Sequence, residues 1–198
     1  MSQGISFKVD PVQLENITKR LDGISYKAPT VLKDAANQTG KKALKLLQEG
    51  VEKDYTYSRA DKLKNHLKRK SATYANPRVI LDVKSNMNEI IDFDVTDREP
   101  MRWFGYSPQS VGHVRSDTSK KPLTNDAGNK AFVTQFKSGH VSVVARVAKT
   151  GKEIRKISSP SYTHMATRVW EDIEDDVNKM LRANIDKNIA KVLEIKNG

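Results

Sequence analysis

The residues from Tyr162 to Ile195 constrain this chain more than any other stretch. Met165, Val169, Ile173, Val177, Met180, Leu181, Ile185, Ile189 and Val192 recur at three- and four-residue steps, the spacing of one face of an α-helix. At 1.5 Å per residue the pattern predicts a C-terminal helix over 162–196, about 50 Å long and longer than a domain of this size covers. Part of its apolar face is therefore expected to meet another subunit. No heptad is clean enough for a coiled coil, and no internal repeat is present.

Upstream the pattern is helical before it becomes extended. Asp10 as N-cap, Pro11 at the first helical position and the stripe Val12, Leu14, Ile17 and Leu21 predict a short helix that Gly23 ends. Pro29 opens a longer one, reaching about Lys53 through Val31, Leu32, Ala35, Ala36, Ala43, Leu44, Leu47 and Val51. A mid-helix glycine costs about 1 kcal/mol against alanine, so Gly40 marks a close packing contact or a bend. Ser58 and Asp61 make a capping-box-like start to a third helix over 58–70, with Leu63 and Leu67 as its apolar side.

From Ser71 the period shortens to two. Residues 72–85 and 89–95 read as strands joined by a turn at Ser85 to Asn88. Three more follow: 130–136, then 140–147 after the turn Lys137-Ser138-Gly139, then 152–158, closed by Pro160. The intervening stretch 97–128 is rich in Ser, Gly, Pro, Asp and Lys and interrupted only by Trp103, Phe104 and Tyr106. A run of this length without periodicity reads as a functional or mobile loop excursion. The order predicts a single α+β domain over 1–198: N-terminal helices, an antiparallel β-sheet with a long loop excursion, and a long C-terminal helix.

The chemistry is mostly exclusion. The 198 residues include no cysteine, which removes disulfides, thiolate metal sites and cysteine nucleophiles. No window approaches the roughly 18 apolar residues of a membrane span, and the N-terminus has no apolar export core. No membrane partner is expected. His66, His113, His140 and His164 have no second histidine or carboxylate at helical metal-site spacing. Ser138 near His140 is adjacency, not a triad. With no glycine-rich phosphate loop or nucleophile elbow either, the chain reads as a non-enzyme with no metal or cofactor.

Charge is the remaining signal. The formal net charge is +11, which admits a nucleic acid, an acidic protein or an anionic surface as partner. Lys41, Lys42, Lys45, Lys62, Lys64, Lys68, Arg69 and Lys70 fall on two predicted helices, with Tyr55, Tyr57 and Tyr74 nearby. These Lys41–Lys70 helices carry the alternative reading, a basic nucleic-acid-binding protein. No recognition module accompanies them, and a solvated helix face or an acidic protein partner is the plainer reading. Glu171, Asp172, Glu174, Asp175 and Asp176 form an acidic block that lacks the glycine and spacing of a calcium loop. Glu171 and Asp175 repel at their spacing, so a cationic partner would relieve strain.

The segment from Asn129 to Tyr162 resembles the hallmark region of the minor tail protein Z family of tailed bacteriophages. Phe136-Lys137-Ser138-Gly139-His140 matches the family's turn, Val141 to Arg146 its second strand, Ile154 and Ile157 its third, and Ser159-Pro160-Ser161 its closing tripeptide. Asp54-Tyr55-Thr56-Tyr57, Ser58 to Asp61 and residues 71–83 match upstream, so the likeness spans roughly residues 35 to 175 in family order. Lys152, Glu153 and Arg155 depart from the family's more apolar third strand, and 97–128 does not align.

The resemblance implies a structural virion protein, a tail-completion or neck subunit. It would be made in the host cytoplasm and act in tail assembly or head–tail joining. It further implies a homo-oligomeric ring, hexameric among the stoichiometries open to it, beside tail-tube, tail-terminator or head-connector proteins. Non-specific contact with genomic DNA stays open. The subunit interface is expected at Lys62, Lys68 and Arg69, at Trp103, Phe104 and Tyr106, and at Trp170, Glu171, Glu174 and Asp175. The basic block of one copy would meet the acidic block of the next in a head-to-tail contact.

Overall fold

The structure is a computed structural model that describes residues 3–7, 11–21, 24–58, 65–84, 88–96, 98–100 and 108–197. Among the described residues, three α-helices and nine short strands make an α+β arrangement in which eight strands run between the second and third helices. The strands form three separate three-stranded antiparallel sheets in place of the one sheet expected. The chain divides into two compact units. The first comprises residues 1–49, 64–85 and 166–198, and the second residues 50–63 and 86–165.

In the first unit, helix α1 (Pro11–Arg20) starts on its proline and ends on Lys19 and Arg20, cations suited to a helix C-terminus. Helix α2 (Ala28–Asp54) buries the row Ala35, Thr39, Ala43, Leu47 and Val51, one face at four-residue steps. Helix α3 (Tyr162–Asn197) lies antiparallel to it: Asn188 Nδ2 donates to the Val31 carbonyl at 3.5 Å and Asn184 Nδ2 to Thr39 Oγ1 at 2.9 Å. Ile17, Leu21, Val31, Leu32, Leu181, Ile185 and Ile189 fill the space where α1, α2 and α3 meet. Each such side chain contributes about 1.5–3 kcal/mol of burial.

This core changes the reading of α3. Val177, Leu181, Ile185 and Ile189 are buried, and Ile173, Met180, Val192 and Leu193 are half-buried. The stripe that seemed too long for the chain is thus covered by the chain itself.

The first unit's sheet orders β1 (Gln3–Phe7), β3 (Val79–Val83) and β2 (Leu67–Lys70), with β3 in the middle. Strand β2 corrects the expected helix over 58–70. Residues 59–64 lie outside the described residues, Asn65 and His66 are helical, and Leu67 begins a strand paired Leu67 to Val83 and Lys70 to Ile80. Leu67 and Arg69 turn inward and Lys68 and Lys70 outward, so a period of two serves the sheet where a period of four would not. Gly40 is the contact point. A Cβ there would stand 2.6 Å from Val79 Cγ1, so α2 meets β3 with no side chain between them.

In the second unit the expected strand 89–95 is mostly a 3-10 turn, Ile90–Asp92, followed by β4 (Asp94–Val95). Ile90, Phe93 and Val95 are the buried residues; the three-residue step from Ile90 to Phe93 requires the turn. Strand β4 pairs with β5 (Val111–His113), and β5 with β6 (Lys121–Pro122). The hairpin expected between 72–85 and 89–95 therefore does not form: those residues belong to different sheets. The stretch 97–128 correspondingly carries two short strands. The third sheet is β7 (Ala131–Gln135), β8 (Val141–Arg146) and β9 (Ile154–Lys156), in the order expected. No helix of the described residues is long and apolar enough to cross a membrane.

Candidate assembly surfaces

The turn between β7 and β8 fixes the register of the third sheet. Gly139 sits at φ +83°, Gly139 N–H donates to Phe136 O at 2.9 Å, and Phe136 N–H donates to His140 O at 2.8 Å. A left-handed residue at this corner is the natural place for glycine. His140 turns its Nε2 to the Glu89 carboxylate at 2.9 Å and not to Ser138, and Lys156 of β9 donates to the same carboxylate. Burial opposes ionisation of Glu89 most strongly. Lys156, Ser142 and His140 together outweigh it and hold the carboxyl below the usual glutamate range.

The closing tripeptide is anchored in the same unit. Asn88 Nδ2 donates to the Pro160 carbonyl at 2.8 Å, and Ser159 Oγ donates to the Asn88 carbonyl. Ser161 Oγ accepts from His164 N–H at 3.2 Å, which caps the start of α3. Tyr162 continues the anchor, sharing a hydroxyl hydrogen bond with Tyr57, whose ring meets Phe93 edge-on at 5.3 Å. A second ionic cluster braces β4 and β5. His113 Nε2 lies 3.0 Å from Asp94 and Lys120 2.9 Å from it, while His113 Nδ1 faces the Thr118 carbonyl. Lys120 and then His113 hold Asp94 below its ordinary range.

These contacts brace the sheets, and the local spacing of the sequence does not disclose them. His140 and Glu89 are 51 residues apart, His113 and Asp94 19. Among the described residues no group of three or more His, Asp or Glu gathers as metal ligands.

The expected interface residues separate into three groups. Lys62, Trp103, Phe104 and Tyr106 lie outside the described residues. Trp170 is 8 % exposed and packs within the chain, and Arg69 is half-buried with Nη1 donating to the Asn37 carbonyl at 3.3 Å. Neither offers a free surface. Lys68, Glu171, Glu174 and Asp175 are exposed.

The acidic block occupies the part of α3 that the core uses least. Between Trp170 and Val177 only Ile173 is half-buried, and the other five residues are exposed carboxylates. Among the described residues only Asp176 of these has an ion pair, with Lys179 at 3.0 Å. On the same unit, Lys41, Lys42 and Lys68 are exposed and make no ion pair among the described residues, whereas Lys45 pairs with Glu49 and Lys70 with Asp82. The aromatic partners expected for a nucleic acid are mostly not on offer. Tyr55 is buried and Tyr57 is held by Tyr162 and Phe93; only Tyr74 is exposed, with Lys33 over its ring at 4.0 Å.

The model of the prophage minor tail protein Z family matches residues 13–196, nearly the whole chain. No curated protein and no solved structure matches it. The chain belongs to this family of bacteriophage minor tail proteins, and a tail protein is a virion component.

Proposed function

Taking that membership as premise, we propose that the chain is a tail-completion or neck subunit that acts in tail assembly or head–tail joining as one copy of a ring. Its role is structural and not catalytic. The observation that carries this reading is the pair of unneutralised, opposite charge surfaces on the first unit: Glu171, Asp172, Glu174 and Asp175 on α3, and Lys41, Lys42 and Lys68 on α2 and β2. Five carboxylates within two helical turns repel one another at three- and four-residue spacing. A head-to-tail neighbour that presents cations removes that cost, and a ring gives every subunit one contact of each kind.

Exposed ion pairs contribute only about 0–1 kcal/mol each, so several must act together and salt must weaken them. Light scattering on the purified chain at low and high salt tests the reading. The expected result is an oligomer of fixed mass that loses subunits as salt rises, and that Lys41→Glu with Lys68→Glu prevents. An assembly whose mass ignores both salt and these reversals overturns the charge-paired ring.

A further inference from the structure

A second concentration of positive charge, besides that of residues 41–70, lies in the third sheet. Between Asn129 and Ser158 there are seven lysines and arginines against the single Glu153. Part of that excess converges on one cleft of about 260 Å³, lined by Asn129, Lys130, Phe132, Arg146 and Lys149. Among the described residues no carboxylate lines it. Lys130, Arg146 and Lys149 are exposed and have no ion pair among the described residues. One register step beyond the Ala131–Ala145 pair, Lys130 comes opposite Arg146, and like charges directly opposite on paired strands are destabilising.

The cleft is nevertheless built. Asn125 Nδ2 and Asn129 Nδ2 both donate to the Arg146 carbonyl, at 2.9 and 3.0 Å, and Asn129 reaches the Val147 carbonyl at 3.2 Å. Arg146 Nη1 donates to the Gly151 carbonyl at 2.9 Å, which restrains one of the lining cations. The fold thus gathers three cations, one of them restrained by a hydrogen bond, where no ion pair among the described residues neutralises them.

We propose that this cleft binds the phosphodiester backbone of a nucleic acid without reading its sequence. Two observations select that ligand. The positive charge extends along the hairpin to Lys152, which is exposed and makes no ion pair among the described residues, whereas Arg155 is paired with Glu153 at 3.0 Å. Four such cations are more than one small anion would neutralise and suit a polymer with regularly spaced phosphates. In addition, the cleft lacks the exposed apolar anchor around which protein interfaces form. Among the described residues the large exposed apolar side chains, Tyr26 and Tyr74, belong to the other unit. Phe132, which also lines the cleft, is half-buried. This site is separate from the Lys41–Lys70 region, and the inference does not depend on ring formation.

Fluorescence anisotropy of the full-length protein with a labelled random 30-base-pair duplex, titrated across a potassium chloride series, tests it. The expected result is binding whose log Kd rises linearly with log salt. Lys130→Ala with Lys149→Ala should weaken binding at least tenfold and lower the slope by about 2, since each phosphate contact contributes about 0.9. Lys187→Ala with Lys191→Ala, exposed lysines of α3, should change affinity less than twofold at an unchanged slope. Circular dichroism establishes that each variant is folded. Should Arg146→Lys be used where an alanine pair fails to fold, the slope is expected to be kept. Equal loss in both lysine pairs would mean general charge attraction and overturn the site. Displacement of the duplex by polyglutamate at matched charge and ionic strength would assign the cleft to an acidic protein instead, and absence of duplex binding would dismiss the proposal.

Discussion

Replacing Gly40 by alanine tests the packing that positions the first unit's surfaces. On an open helix face the change would stabilise α2 by about 1 kcal/mol. Here the new Cβ would stand 2.6 Å from Val79 Cγ1 and 3.1 Å from Val79 Cβ and Cγ2, about an ångström inside ordinary contact. Val79 cannot yield easily: it is fully buried and lies on the central strand, paired with Phe7. Overpacking of this kind costs about 1–3 kcal/mol, and an overlap with a stiff β-branched side chain belongs at the upper end. The net expectation is a loss of about 2 kcal/mol, or about 4–8 °C in Tm for a chain of this length. Urea unfolding followed by circular dichroism measures it. Val79→Ala removes the two methyls that obstruct, so the double variant should lose less than the sum of the single losses, with a coupling of about 1–2 kcal/mol. If Gly40→Ala raises stability by about 1 kcal/mol, α2 does not touch β3 at this point and the packing argument fails.

Gly139→Ala should cost about 1–2 kcal/mol by the same assay, because nothing lies within 4 Å of the new Cβ and only the positive φ is strained; no loss would mean that the turn does not need a left-handed residue. Asn88→Ala removes the donor to the Pro160 carbonyl and should lower stability by about 1–3 kcal/mol, whereas an unchanged unfolding midpoint would show the tripeptide anchor to be idle. Glu89 titrates below its ordinary range, so its contribution is complete above the usual glutamate pKa and is lost as pH falls through the lowered folded value. The loss of stability as pH falls below the usual glutamate pKa should accordingly be shallower in Glu89→Gln than in the parent chain, and parallel curves would remove Glu89 from the account.

The helices and the third sheet were legible because each obeys one period over many residues. Ala35 to Val51 recurs by fours, and Ala131 and Val133 alternate with half-buried neighbours. Strand β2 was not legible, since Leu63 and Leu67 have helical spacing and Leu67 to Lys70 become a strand only by pairing with β3. The turn at Ile90 was hidden in an apparently alternating run. Of the proposed interface, the acidic block was visible as charge in sequence, whereas the burial of Trp170 and the hydrogen bond from Arg69 to the Asn37 carbonyl were not. The cleft lined by Phe132 depends on cross-strand register, so counting charges along helices passed over it.

The central claim is that copies of this chain close into a ring on the phage tail. Electron micrographs of the purified protein mixed with purified tail tubes test it most directly. The account predicts closed rings of uniform diameter, seated at one end of the tubes. Tubes with both ends bare, beside a protein that stays monomeric, would contradict it.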